Sequence, residues 1–294
     1  MSLMSRMIRR NFKKNDVVRD KGLSTPPDVQ RFDDILYGSD PKWQILDVYR
    51  PKEKEGKLPV IVSFHGGAFV YGDKELYQFY CMSLAQLGFA VVNYTYRLAP
   101  EFKFPAPIED TNLVFGWVLE HADEYGLDES QIFAVGDSAG AHGLATYLNV
   151  LTNPAYAANF SFRTPENLRV RAAALNCGLY GLKEMNPKDW LTRSIMRDYL
   201  PGKGTAREKE LTDVAANLTG DFPPVFLMTS SGDFLQDQAP LLANAFREKG
   251  IPFEYHYYST EEMELGHVFH LDLRTKYSGI CNGEECEFFE KCVS

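Results

Sequence analysis

Short, nearly unbroken apolar runs alternate along this chain with longer stretches of helical period. The runs occupy residues 60–64, 90–94, 132–135, 172–176, 225–229 and 253–258. Runs so short, and apolar at consecutive positions, are what burial on both faces of a mostly parallel sheet demands. Residues 43–49 alternate instead, which predicts an antiparallel strand at the sheet edge. Helical patterns over 76–87, 107–125 and 238–249 fall between the runs, the last closed by Gly250 as a helix-ending glycine. Such alternation predicts an α/β fold with helices on both faces. No internal repeat or long low-complexity linker interrupts it, so residues 1–294 read as one domain. Residues 180–218 break the rhythm. There Trp190, Ile195, Met196, Tyr199 and Leu200 are spread among charges, which predicts a helical element laid over the sheet.

Composition narrows the function classes. Of the 294 residues 45% are hydrophobic and 13% aromatic, enough for a sizeable core. A net charge of −9 argues against nucleic acid as a partner, since phosphate binding needs a basic face. No apolar run approaches the ~20 residues that span a bilayer, so no membrane partner is expected. The first residues are basic (Arg6, Arg9, Arg10, Lys13, Lys14), with no apolar core behind them to make a secretory signal. Met4, Met7, Ile8 and Phe12 recur there at near-helical spacing, which predicts a short amphipathic helix. Five cysteines are present, of which Cys281, Cys286 and Cys292 cluster at a spacing that fits no zinc pattern. Free thiols in a reducing cytoplasm are the expectation, with no metal and no organic cofactor.

The chemistry concentrates in Gly136-Asp137-Ser138-Ala139-Gly140, a G-x-S-x-G directly after an apolar run. A serine that attacks a carbonyl must stand clear on a sharp turn, with small neighbours that let strand and following helix approach closely. Serine needs a base, and the base an orienting acid. Asp233 ends the run at 225–229, and His267 follows it 34 residues later, beyond the last run. That is the order Ser, Asp, His required on this type of sheet. Asp237 is an alternative turn or cap residue, and His270 an alternative base. For the oxyanion, the loop His65-Gly66-Gly67-Ala68-Phe69 offers the N–H groups of Gly67 and Ala68, with Gly66 a close alternative, together with that of Ala139. Phe69 and Tyr71 are candidate substrate-binding residues in an apolar acyl pocket.

These residues resemble the hormone-sensitive-lipase-like carboxylesterases of the α/β-hydrolase fold, a group that includes bacterial acetyl esterases and arylacetamide deacetylase. Four motifs carry the resemblance: His65 to Phe69; Tyr96-Arg97-Leu98-Ala99-Pro100-Glu101 with Phe104-Pro105-Ala106; Gly136 to Gly140; and Gly232-Asp233-Phe234-Leu235-Gln236-Asp237. The chain departs from the group's pattern at Ala68, Thr95, Phe234 and Val268, none of which removes a catalytic group. The resemblance implies a sheet of about eight strands, and a helical cap built from about residues 1–30 and 180–218. It further implies Ser138 as nucleophile, Asp233 rather than Asp237 as acid, His267 as base, and a structural His65 bracing the oxyanion loop. A small-molecule ester is the expected partner, with homo-oligomer formation open. An amidase or small-peptide hydrolase would share the same triad. A non-catalytic binding protein of the same fold is the alternative from a different class.

Overall fold

The computed structural model describes residues 2–182 and 190–293. Strands β1 (Val29–Leu36), β2 (Ile45–Pro51), β3 (Leu58–Phe64), β4 (Ala90–Tyr94), β5 (Leu127–Asp137), β6 (Val170–Asn176), β7 (Val225–Ser230) and β8 (Phe253–Tyr258) form one sheet, in the spatial order β1-β2-β4-β3-β5-β6-β7-β8. β1 pairs antiparallel with β2 and β2 with β4; every pairing from β4 to β8 is parallel. The helices are α1 (Leu3–Arg19), α2 (Lys74–Gln86), α3 (Ala106–Glu120), α4 (Ala122–Tyr125), α5 (Ala139–Thr152), α6 (Pro154–Ala157), α7 (Trp190–Tyr199), α8 (Ala206–Leu211), α9 (Gln238–Lys249) and α10 (Lys276–Lys291).

Two cores, one on each sheet face, explain the unbroken apolar runs. Val60, Val62 and Phe64 of β3 join Leu144 and Leu148 of α5 in one buried cluster. The intervening Ile61, with Phe133 and Val135 of β5, joins Met82 of α2 and Phe289 of α10 in the other. Successive side chains of a strand point to opposite faces, so two-sided burial leaves no polar position. Each such side chain taken from water contributes roughly 1.5–3 kcal/mol.

The predicted edge strand needs correction. It is antiparallel, as its alternation implies, but β1 lies outside it and forms the true edge. β1 carries no apolar alternation; it bulges between Phe32 and Ile35, where Asp34 has φ 57 and its N–H reaches Asp47 Oδ1 at 2.8 Å. Charges and a bulge suit an edge, because they discourage pairing with another chain. The helix read over 107–125 is also two: it ends at Glu120 and resumes as α4.

α1 forms where predicted and lies against α7. The Ser2 N–H and the Ser5 hydroxyl both donate to Asp198 Oδ2, at 2.8 and 2.5 Å. Arg9 ties the same helix to the body, donating to the carbonyls of Val70 (2.7 Å) and Ala99 (2.9 Å) and pairing with Glu101. The element read over 180–218 contains α7 and α8, with Ile195, Met196, Tyr199 and Leu200 buried. Residues 183–189 of it, and the side chains of Trp190 and Met4, lie outside the described residues.

Candidate active site

Ser138 stands between β5 and α5 with φ 53 and ψ −118, a region that non-glycine residues rarely occupy. Holding it there costs of order 1–3 kcal/mol, which the surroundings must supply. The Ser138 N–H donates to the Asn176 carbonyl (3.0 Å), and the Ser138 carbonyl accepts from His142 and Leu179. Gly140 is required by proximity. A Cβ there would meet the Phe64 carbonyl oxygen at 2.1 Å, so only glycine lets α5 start this close to β3.

His267 Nε2 lies 2.9 Å from Ser138 Oγ, and His267 Nδ1 lies 2.7 Å from Asp233 Oδ1. Asp233 is fully buried. Burial raises its carboxyl. Opposing that are the hydrogen bond and charge of His267, then the Leu235 N–H and the Thr229 hydroxyl; together they hold it below the usual carboxylate range. An ionised carboxylate only accepts, so the imidazole proton sits on Nδ1, and Nε2 turns a lone pair toward the Ser138 hydroxyl. Thr229 Oγ1 donates to the other carboxylate oxygen at 2.8 Å, and the Leu235 N–H donates to Oδ1 at 2.9 Å. Asp237 stands instead at the start of α9 and makes no capping bond. His270 is buried beside the Tyr80 ring, and neither of its ring nitrogens has a partner among the described residues. Burial depresses it to about 3, and it takes no part in the Ser138 constellation.

The loop after β3 runs through three consecutive positive φ values, at Gly67 (119), Ala68 (53) and Phe69 (66). A Cβ on Gly67 would sit 1.9 Å from the Tyr71 carbonyl oxygen. Among the described residues the N–H groups of Gly67, Ala68 and Ala139 have no acceptor. Gly67 and Ala68 line the spaces that also expose Ser138, and Ala139 follows it. The Gly66 N–H differs: it donates to Tyr77 Oη at 2.8 Å, and Tyr77 in turn donates to Asp137 Oδ2 at 2.8 Å. Gly66 is thereby spent on holding the loop and leaves the set of free donors. His65 sits beneath, stacked on Tyr96 at 4.0 Å with Nδ1 2.7 Å from the Gly66 carbonyl oxygen. Burial lowers it to about 4, so it is neutral and fits the bracing role.

α1 divides the space above Ser138. On one side lies an apolar cavity of about 450 Å³, lined by Met7, Ile8 and Phe12 of α1 and by Phe69, Leu179 and Ile195. Phe69 is fixed there by stacking on Tyr199 at 3.9 Å. On the other side a second cavity of about 450 Å³ is more polar, with Asn15, Asp16 and Arg19 facing Glu264, His267 and Asp272. Tyr71 lines the narrow gap between them, and its hydroxyl donates to Asp16 Oδ2 at 2.7 Å.

The family model described as the alpha/beta hydrolase fold matches residues 61–271. This chain belongs to the α/β-hydrolase fold family. Among curated relatives, esterase LipC of Mycobacterium tuberculosis is 32% identical over 168 residues, covering 56% of this chain and 40% of LipC. An acetyl esterase of Salmonella schwarzengrund is 30% identical over 212 residues, covering 68% of this chain and 62% of that protein. Carboxylesterase NlhH of Mycobacterium tuberculosis is 29% identical over 248 residues, covering 80% and 76%. The chain thus spans less than two thirds of the first two of these. The crystal structure of esterase B from Lactobacillus rhamnosis superposes with a TM-score of 0.90 at 23% identity, covering 99% of this chain and 97% of that one. That likeness concerns the fold.

Several residues that support this constellation left no readable sign in the sequence. Tyr77 lies in an apolar helix, and Thr229 inside a strand. Cys177 reads as an isolated apolar position, yet its sulfur lies within 4.8 Å of donor atoms of Asp233 and His267. Both His267 nitrogens are engaged, by Asp233 and by Ser138, so Cys177, Asp233 and His267 leave no free imidazole nitrogen for a metal.

Proposed function

We propose that this protein is a serine carboxylesterase that hydrolyses small or short-acyl esters through an acyl-enzyme. The hydrogen-bonded line Asp233–His267–Ser138, ending at the apolar cavity, carries this reading. Ser138 Oγ attacks the ester carbonyl carbon while its proton passes to His267 Nε2, and Asp233 stabilises the imidazolium. The negative charge forming on the carbonyl oxygen is met by the N–H groups of Gly67, Ala68 and Ala139. The carbon–oxygen bond to the alcohol then breaks, and His267 gives the leaving oxygen its proton. Water, deprotonated by the same nitrogen, releases the acid and restores Ser138. The names of the esterase relatives support the reaction class.

The acyl group fits the cavity under Phe69 and Ile195, and the alcohol faces the polar side beside Asp16 and Tyr71. Residues 1–30 and 180–218 form the cap over a single catalytic domain, although residues 29 and 30 already belong to β1. A cytoplasmic location agrees with five free thiols, four of them buried. The test is mass spectrometry after a fluorophosphonate probe. An adduct on Ser138, absent from Ser138→Ala, is expected; an unlabelled native protein favours the non-catalytic binding protein instead. Nitrophenyl esters of increasing acyl length, compared with an anilide, then separate esterase from amidase. Faster cleavage of the anilide would overturn the ester assignment.

A further inference from the structure

The outer face of α1 is not accounted for by hydrolysis alone. α1 carries six cations and one carboxylate, in a chain whose net charge is −9. Two of the cations turn inward: Arg9 toward Glu101, and Arg19 toward Asp16 and Asp20. The other four, Arg6, Arg10, Lys13 and Lys14, are exposed, and none makes an ion pair or side-chain hydrogen bond among the described residues. Apolar side chains share this outer side. Leu3 is 73% exposed, Met7 44%, and Val17 and Val18 each 63%, while Ser2 and Ser5 of the same segment are buried. A helix serving only the protein core would place these the other way round. Leu3, Met7, Arg10, Lys14, Val17 and Val18 follow one another at three- to four-residue steps and so share a face.

The charge continues onto α7, which Asp198 ties to α1. A depression of about 540 Å³ there is lined by Arg193, Arg197, Lys203 and Lys209, with no carboxylate in its wall among the described residues. We propose that the joint outer face of α1 and α7 docks onto an anionic lipid surface. Cations draw such a helix to the headgroups, and exposed aliphatic side chains enter the boundary below them. Polyanions such as nucleic acid would use the cations and leave Leu3, Val17 and Val18 in water, so the apolar half of the face selects lipid. Expecting no membrane partner rested on the lack of a spanning run, and among the described residues no helix is long and apolar enough to cross a membrane. Surface docking needs no such helix. Met7 and Phe12 belong to α1 and also line the acyl cavity. On the esterase reading, an ester dissolved in that surface therefore has a short route to Ser138.

The experiment uses the full chain as Ser138→Ala, so that binding is read without turnover and independently of the esterase assignment. Co-sedimentation is measured with phosphatidylcholine vesicles, with and without phosphatidylglycerol. Binding is expected only with phosphatidylglycerol. It should weaken as salt rises from about 0.1 M to about 1 M, where the Debye length falls to about 3 Å. Each basic residue near an anionic leaflet contributes about fivefold. Combining Arg6→Glu, Arg10→Glu, Lys13→Glu and Lys14→Glu should therefore weaken binding more than a hundredfold. A second variant, Leu3→Asn with Val17→Asn and Val18→Asn, should lose vesicle binding while keeping its retention on heparin. With Ser138 restored, both variants should turn over a soluble nitrophenyl acetate like the native chain. Absence of sedimentation, equal binding to neutral vesicles, or unchanged vesicle binding by the aliphatic variant each overturns the proposal; the last would mark a general polyanion site. Should the charge variant fail to fold, the salt series on the Ser138→Ala chain still decides.

Discussion

Glu285→Gln should remove a pH-dependent weakness from the fold. Glu285 projects from α10 into the core and is fully buried. Its two oxygens accept from the Tyr80 hydroxyl (2.7 Å) and from Asn176 Nδ2 (2.6 Å), and no cation pairs with it among the described residues. Burial raises the carboxyl; those two hydrogen bonds oppose the rise, the charge of Asp137 adds to it, and the result is about 7. An unfolded glutamate loses its proton near 4.3. Between those values the unfolded chain releases a proton that the folded chain keeps. The folded state there binds more protons, so stability falls as pH rises through the window. At about 1.4 kcal/mol per pH unit, the loss totals close to 4 kcal/mol once the pH is well past about 7, with about 3 kcal/mol of it falling above pH 5.

Glutamine cannot ionise. Its carbonyl can accept from Asn176, while the Tyr80 hydroxyl rotates to accept the new N–H. The variant should match the native chain near pH 5 and exceed it by about 3 kcal/mol near pH 8. Urea denaturation across that range measures the difference, with slopes compared to verify the same transition. Taking native and variant at each pH cancels the other buried groups, notably Asp137, which burial raises to about 6. A difference that stays flat with pH would refute the reasoning. A variant that is weaker at pH 8 than at pH 5 would show that the ionised Glu285 stabilises the core.

Three further substitutions bear on the site. Asp233→Asn, with its amide nitrogen in place of Oδ1, keeps an acceptor for Thr229 but offers His267 a donor and leaves the Leu235 N–H without that oxygen, turning the imidazole to the wrong tautomer; kcat should fall about 10⁴-fold with little change in KM, read by steady-state kinetics. Gly67→Ala places a Cβ against the Tyr71 carbonyl and displaces the oxyanion loop. It should cost about 10²–10³ in kcat while fluorophosphonate labelling of Ser138, though slowed, persists. Tyr77→Phe strands the buried Gly66 N–H and one acceptor of Asp137. Denaturation should show a loss of about 1–3 kcal/mol, with kcat falling more than KM rises because the loop loses its tether. Unchanged kcat in Tyr77→Phe would sever Tyr77 from the loop.

What the sequence made legible follows burial symmetry. β4 matches its apolar run residue for residue, because burial at all five positions leaves no exposed position to blur its ends; β8, half-exposed at the far edge, matches its run through its aromatic residues instead. β1 escaped because it has no such constraint: of its eight residues only Val29 is buried, and its pairing is imposed by β2. The order of Ser138, Asp233 and His267 was readable because it follows the chain. The supports were not, since each joins positions that the chain keeps apart, as Tyr77 joins Gly66 to Asp137. Glu284 and Glu285 make the point most sharply. Neighbours of one type in an acidic helix, they differ by about 100° of rotation. That rotation leaves Glu284 half-buried beside Tyr258 and seals Glu285 in the core.

The same logic locates specificity. Ser138 and Asp233 follow the ends of β5 and β7, so the sheet fixes where they stand. The cavity walls come from α1 and α7, which the sheet does not dictate. Met7, Ile8 and Phe12 line the apolar cavity, and four and seven residues beyond Phe12 on the same helix Asp16 and Arg19 line the polar one. On the esterase reading, this one helix sets the acyl limit and the polarity offered to the alcohol, as well as the surface the molecule presents outward. A substitution in α1 that changes chain-length preference should therefore also alter vesicle binding when it falls at Met7, which serves both faces. It should leave vesicle binding untouched at Ile8, which is buried and serves only the cavity. Measuring both properties in Met7→Ser and Ile8→Val would separate the two roles. Equal behaviour of the pair would mean that the inner and outer faces of α1 do not act independently.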